Sequence, residues 1–377
     1  MTTPPDLSPP DLSRPDLSRP DLSFLDLPGF LQAFVEETRP RATGAGLDPH
    51  EYSRVTAPLA SATDWPEACR RAGRRHLAAA DLADAEGRTV TAGEAYRRAA
   101  RWFHFAALIP HPDRAAAAEA ATEADEAMRR ALARLDQAAE RIEGDTYAGW
   151  LRRPAGAARP AVVIVVPGMD SGKEEFHGVT EALLARGVAA LAIDGPGQGV
   201  LAATTPVEPD YHRVVARVID ALAAREDVDA TRIGVIGLSL GGYYAAMAAA
   251  HEPRVRATAT VSGPYRLDWP ALVPFVTATL AQRCGGDTAA ARAFADRVDL
   301  TATAPLIPGP LLVVDGGEDG IPGATDGEPL ARHAPHAEYL LVPHGNHLLG
   351  NATADWLPET ADWLTAHLTA DRPAPLE

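Results

Sequence analysis

Cysteine is nearly absent from this 377-residue chain. Cys69 and Cys284 stand far apart, with no metal-ligand spacing around either, so neither a disulfide framework nor a zinc site is expected. Two small thiols in a reducing compartment are the plain reading. Long apolar runs are missing too. The hydrophobic stretches are short and interrupted, which argues against a membrane span. No basic segment followed by an apolar one opens the chain, so no signal peptide is expected and the cytoplasm is the expected compartment. Positive charge is scarce: 35 Lys and Arg stand against 51 Asp and Glu, for a net charge of −16. Such a surface repels nucleic acid and anionic membranes, and no basic patch with interleaved aromatics offsets it. The histidines are scattered without zinc-like spacing, and neither a metal nor an organic cofactor is expected.

What is present begins with a repeat. Pro5-Asp6-Leu7-Ser8 recurs from Pro10, Pro15 and Pro20, and proline at every fifth position blocks both helix and sheet. Residues 1–27 are therefore expected to form a disordered arm, with a docking tail as the alternative. Residues 28–145 read as all-helical. Thr91-Ala92-Gly93-Glu94 has the form of a capping box and would start a helix carrying Trp102, Phe103, His104 and Phe105, ended by Pro110 and Pro112. A second helix is expected from Arg114 to Ile142, closed by Gly144.

From about residue 146 the pattern changes. Ala161 to Val166 is a short, continuous, β-branched run of the kind that forms a buried strand. Further strands are expected at 188–193, 232–236, 255–261, 310–314 and 338–342, alternating with helices at 179–186, 211–225 and 356–368. That alternation implies an α/β fold with a mostly parallel sheet and helices on both faces. This domain is expected over 146–370, with 371–377 a flexible tail.

The most informative stretch is Gly237-Leu238-Ser239-Leu240-Gly241-Gly242, between a strand and an alanine-rich helix. A G-x-S-x-G elbow exposes its serine on a strained bend. A serine becomes a strong nucleophile only beside a base, which in turn works best when an acid orients it. In elbow-type sites the acid and then the histidine follow the serine along the chain. The loop Asp315-Gly316-Gly317-Glu318-Asp319 leaves a strand end, and Asp319, lying deepest in it, is the favoured acid. Glu318 is the alternative, and Asp315 is expected to cap the turn. Pro343-His344-Gly345-Asn346-His347 follows the last strand, and His347 is favoured over His344 as the base. His333, His336 and His367 read as solvated. Two backbone N–H donors are needed for an oxyanion, and Leu240 and Met169 are the candidates, with Asp170 next and also a candidate auxiliary residue. The loop Pro167 to Lys173 is glycine-containing but lacks phosphate-loop spacing.

On these motifs the chain resembles the α/β-hydrolase superfamily over about 146–370. More narrowly it looks like the FrsA-like and dihydroxypseudooxynicotine-hydrolase-like branch, which carries an N-terminal helical domain. The resemblance rests on Ala95-Tyr96-Arg97-Arg98-Ala99-Ala100, on Pro167-Gly168-Met169-Asp170-Ser171-Gly172-Lys173-Glu174-Glu175, on Asp194-Gly195-Pro196-Gly197-Gln198-Gly199 and on the elbow. It implies a lid formed by the helical domain together with 265–300, and a small-molecule substrate. It also implies cleavage of a carbon–carbon bond next to a ketone, a retro-Claisen reaction on a 1,3-dicarbonyl or acyl-phenol, as in similar fungal enzymes that shorten polyketide precursors. Asp268 is the position the resemblance suggests for an additional acid, with a helix N-cap as its plainer role. Trp102, Phe105 and Tyr243 are the substrate-pocket candidates, against the reading that they are core residues. Ester or thioester hydrolysis, peptidase activity and acyl transfer use the same groups and stay open, as does a catalytically silent interaction protein. A homodimer fits the resemblance.

Overall fold

The computed structural model describes residues 20–111 and 113–369. Most of the Pro-Asp-Leu-Ser repeat and the tail expected at 371–377 lie outside them. Of the arm expected over 1–27, residues 20–27 are described. Ser23–Asp26 is a 3-10 turn whose Phe24 and Leu25 are buried, with the Phe24 ring edge-on to Phe30 at 5.2 Å.

Five helices follow: α1 (Phe30–Gly44), α2 (Pro49–Thr56), α3 (Trp65–Ala85), α4 (Thr89–Ala106) and α5 (Arg114–Leu135). They bury two aromatic clusters, one around Trp65, Trp102 and Phe105, the other around Tyr96 and Phe103. Two helix expectations need correction. Helix α4 starts at Thr89, two residues before Thr91, and has no side-chain cap, so the Thr91/Glu94 box does not form. Helix α5 stops at Leu135, not Ile142. The last residues of the expected helix instead form β1 (Glu140–Gly144), antiparallel to β2 (Tyr147–Arg152), with Arg141 opposite Trp150. A strand partner here overrides helical periodicity, so the sheet begins before residue 146.

The remaining strands are β3 (Val162–Val166), β4 (Ala189–Asp194), β5 (Ile233–Leu238), β6 (Val255–Val261), β7 (Arg266–Leu267), β8 (Leu311–Gly316), β9 (Ala324–Thr325) and β10 (Ala337–Val342). The main sheet runs β1-β2-β4-β3-β5-β6-β8-β10, parallel from β4 onward, while β7 and β9 make a separate small ribbon. This is the expected α/β-hydrolase fold, a mostly parallel sheet preceded by a helical region.

Helices α6 (His177–Leu184) and α12 (Thr353–Thr369) cover one face. The other carries α7 (His212–Ala223), α8 (Leu240–His251), α10 (Thr288–Ala295) and α11 (Glu328–His333), with α9 (Pro274–Arg283) packed on α10. Residue alternation along a strand explains how one apolar run serves both layers. Val162, Ile164 and Val166 enter one core, and Val163 and Val165 the other. Among the described residues no helix is long and apolar enough to cross a membrane, and no group of three or more His, Cys, Asp or Glu is placed to hold a metal ion.

Candidate active site

Ser239 occupies the turn between β5 and α8 at φ 56° and ψ −129°, a strained region for a residue with a side chain. Hydrogen bonds on both sides hold it there: its N–H donates to Val261 O (2.8 Å) and its carbonyl accepts from Gly242 N–H (2.7 Å). The flanking glycines are demanded by space. A Cβ on Gly237 would stand 1.9 Å from Gly241 O, and one on Gly241 would stand 2.3 Å from Val166 O. Chain crossings this tight exclude any side chain.

His347 and Asp319 converge on this serine from the ends of β10 and β8. Ser239 Oγ lies 3.0 Å from His347 Nε2. His347 Nδ1 lies 2.9 and 3.1 Å from the two Asp319 oxygens. An ionised carboxylate only accepts, so Nδ1 carries the proton and Nε2 is free to accept from the hydroxyl. Burial alone would raise the Asp319 pKa. The imidazole, through its charge and its hydrogen bond, and the Ser262 hydroxyl reverse that and hold it below the ordinary range.

Ser262 had no motif to announce it. It follows β6 directly, at φ 51°, and its hydroxyl also accepts from Leu348 N–H at 2.9 Å. One side chain thus ties the acid to the loop that carries the histidine. That loop is itself strained, with Leu348 and Leu349 at φ 65° and 50°.

The competing residues lie elsewhere. Glu318 is exposed. Asp315 is buried and accepts from Gly327 N–H, at the start of α11. The exposed His344 ring sits 3.2 Å from Asp355. His333 stacks near Tyr265, and His367 packs on Trp363.

The two candidate donor positions border the serine. Leu240 opens α8, where the first N–H groups have no helical acceptor. Met169 lies on the β3–α6 loop, which comes so close that a Cβ on Gly168 would stand 2.9 Å from Ser239 Cβ. Two buried anchors fix this loop. Gln198 Nε2 donates to Pro167 O (2.6 Å) and Gly168 O (3.1 Å), while its Oε1 accepts from Gly195 N–H and the Tyr211 hydroxyl, both at 2.8 Å. Lys173, with no exposed side chain, places Nζ 2.7 Å from Asp194. The Gly-Pro-Gly-Gln-Gly turn therefore serves as a brace for the loop beside the serine.

A third anchor comes from the helical region. Arg41, near the end of α1, donates from Nε and Nη2 to both oxygens of Glu175 (2.6 and 2.8 Å), from Nη1 to Asp170 (2.9 Å) and from Nη2 to Ser171 (3.0 Å). Arg41 holds both carboxylates below their ordinary range despite their burial, which opposes it. His104 adds a contact to Glu175 at 2.8 Å. No sequence motif distinguishes Arg41 from the other arginines of the chain.

Ser239 and His347 open into a cavity of 310 Å³. Its apolar wall is built by Leu272, Phe275, Val276 and Leu280 around α9, with Ile321 and Pro322 opposite. Phe275 in turn touches Phe34 of α1, ring centroids 5.6 Å apart. The pocket expectations need correction here. Trp102 and Phe105 are fully buried within the helical region, where the Phe105 carbonyl accepts from Trp65 Nε1. Tyr243 points from α8 into the core beneath, its hydroxyl donating to Arg297 O. Asp268 is exposed and makes no cap hydrogen bond, and the cavity is lined by its neighbour Leu267 instead. Asp170, Asp315, Asp319 and Asp326 are the carboxylates that do line it.

The family described as "Esterase FrsA-like" matches residues 71–267, more than half of the chain. The chain belongs to the FrsA-like esterase family. The prolyl oligopeptidase family also matches, over 213–371, the part that carries the elbow and the two loops beyond it. This FrsA-like chain is 33% identical over 187 residues to 2,6-dihydropseudooxynicotine hydrolase of Paenarthrobacter nicotinovorans, covering 48% of the chain and 50% of that protein. Over 223 residues it is 30% identical to 20-hydroxy-prefusarin hydrolase FUS2 of Gibberella moniliformis, covering 54% and 52%. The chain spans about half the length of the curated relatives it matches. The solved structure of 2,6-dihydroxy-pseudo-oxynicotine hydrolase superposes with a TM-score of 0.78 at 26% identity, covering 88% of this chain and 95% of that one. That superposition extends the likeness across the helical region as well as the sheet.

Proposed function

We propose that this protein is a serine hydrolase that cleaves a carbon–carbon bond next to a ketone in a small, largely apolar substrate. The observation that carries this reading is the continuous hydrogen-bonded chain from Ser239 through His347 to Asp319 at the mouth of an apolar cavity. Ser239 Oγ adds to the ketone carbon as its proton passes to His347 Nε2, and Asp319 stabilises the imidazolium. The N–H groups of Leu240 and Met169 receive the oxyanion. When the adduct collapses, the C–C bond breaks and its electron pair leaves on carbon, as an enolate or an electron-rich ring. His347 returns the proton to that carbon. Water then enters through the same base, the acyl-enzyme is hydrolysed, and the products are a carboxylic acid and a ketone or arene. A variant of this scheme has His347 and Ser239 activate water directly.

Support for C–C cleavage comes from the relatives, whose names include a pseudooxynicotine hydrolase and a prefusarin hydrolase. Hydrolysis of a carboxylic ester is the second reading, favoured by the esterase description of the family. Both use the same groups and differ in the leaving atom. Mass spectrometry of products from aryl 1,3-diketones and matched aryl esters, with wild type and Ser239→Ala, separates them. Ser239-dependent release of an acid and a methyl ketone from the diketones is the expected result. Turnover of the esters alone would sink the C–C reading.

A further inference from the structure

A second cavity, of 250 Å³, lies beside the first, between α5, the turn after β4 and the end of α9. Much of its wall is alanine, from Ala115, Ala118 and Ala121 of α5 and from Ala202 and Ala203 opposite. Its polar end holds Arg283, Gln282, Ser171, Asp170, Glu174 and His104. Asp170 lines both cavities, so this carboxylate, clamped by Arg41, is the partition between them. Helix α9 also runs along both: Phe275, Val276 and Leu280 face the first cavity, and Gln282 and Arg283 the second.

Arg283 is the anomaly. It is only 8% exposed, its Nε is buried without an acceptor, and among the described residues no carboxylate pairs with its guanidinium. Three other buried cations are paired with carboxylates: Arg41 with Asp170 and Glu175, Lys173 with Asp194 and Glu174, Arg152 with Asp136 and Glu181. Arg101 shares an Nε without an acceptor, but it lies away from this cavity and donates to Gly46 O at 2.9 Å. An unpaired buried charge is costly to keep, and a chain that keeps one beside a cavity has a use for it. Its neighbours do not satisfy it. Asp170 is already held by Arg41, and His104 is committed to Glu175. Burial, aided by nearby carboxylates, pushes the Glu174 pKa up, and its contact at 2.7 Å is with Lys173.

We infer that this second cavity is an anion subsite, in which Arg283 binds the carboxylate of a small apolar acid. The planar guanidinium fork matches a carboxylate. A phosphate dianion is disfavoured, because Arg283 is the one uncommitted cation among the lining residues described and Asp170 and Glu174 stand close by. Alanine walls suit a ring or short alkyl chain. The acid has two sources, a carboxylate carried by the substrate or the acid that hydrolysis releases. The second source rests on the proposed reaction, whereas the binding site does not.

The test uses the full-length Ser239→Ala protein, so that binding is measured without turnover. Phenylacetate, benzoate and hexanoate, with their neutral amides, are titrated by calorimetry. The acids are expected to bind and the amides to bind at least about tenfold more weakly. Arg283→Met is expected to lower acid affinity by about tenfold or more while its melting temperature stays the same or rises, since an unpaired buried charge is gone. Arg283→Lys, which keeps the charge, retains part of the affinity and stands in should Arg283→Met fail to fold. Equal binding of acids and amides, undiminished acid binding by Arg283→Met, or no acid binding at all would each overturn the proposal. In the active enzyme, a rise in KM confined to carboxylate-bearing substrates in Arg283→Met marks the substrate as the source. Loss of inhibition by the product acid, with KM unchanged, marks the product. Absence of any turnover would defeat the proposed reaction and leave the binding result standing.

Discussion

Arg41 Nε donates to Glu175 Oε1 at 2.6 Å, joining residues 134 positions apart. The bond links the last turn of α1 to the loop beside Ser239, so the helical region is part of the site's framework. Arg41→Met leaves Glu175 and Asp170 buried without their cation. Breaking a buried pair in this way costs about 3–5 kcal/mol. Urea denaturation should register the loss, and turnover should fall with it because Met169 and Asp170 sit on the loosened loop. A stability change below about 1 kcal/mol would mean that the clamp is replaceable by solvent.

Ser239→Ala is expected to reduce turnover by about 10⁴-fold or more with the melting temperature nearly unchanged. His347→Ala should be comparably inactive, and His344→Ala close to wild type, since the His344 ring is exposed and turned to Asp355. Steady-state kinetics on all three variants decides the assignment, and a severe His344→Ala phenotype would reverse it.

Ser262 holds Asp319 and the Leu348 N–H together through its hydroxyl. Ser262→Ala should therefore lower kcat by roughly 10- to 100-fold with little change in KM, the pattern of a mispositioned base rather than a lost binding contact. It should also move the acid limb of the pH–rate profile, because Asp319 loses a hydrogen bond that favours its charged form. An unaltered pH profile would reduce Ser262 to a loop staple.

Asp315 supplies a pH-dependent stability with a definite sign. Burial, then the charge of Asp326, raises its pKa from 3.8 to about 7. The folded protein therefore holds a proton that the unfolded chain has released, and stability is lost as pH rises from about 4 to about 7. Asp315→Asn removes that loss while keeping an acceptor for Gly327 N–H. Its stability relative to wild type should improve by on the order of 2 kcal/mol between pH 5 and pH 8. Chemical denaturation at the two pH values measures it, and a pH-independent difference would contradict the assignment.

The sequence by itself determined the strand–helix alternation, the elbow and the order of Ser239, Asp319 and His347, because these depend on local patterns. A β-branched run, a glycine-flanked serine and polar loops at strand ends are legible without knowing what packs against them. Local pattern misled where a partner strand mattered, as at Glu140–Gly144, whose helical periodicity yields to pairing with β2. It misled again for Trp102, Phe105 and Tyr243, since an aromatic residue on a helix carries no mark of which face meets a cavity and which meets a core. Only the tertiary structure decided that Arg41 braces the loop beside Ser239, that α9 lines the cavity, and that Arg283 lies buried with no carboxylate partner among the described residues. Those facts depend on contacts between segments distant in the chain, and the free energy of such contacts is set by burial and by what each charge meets there.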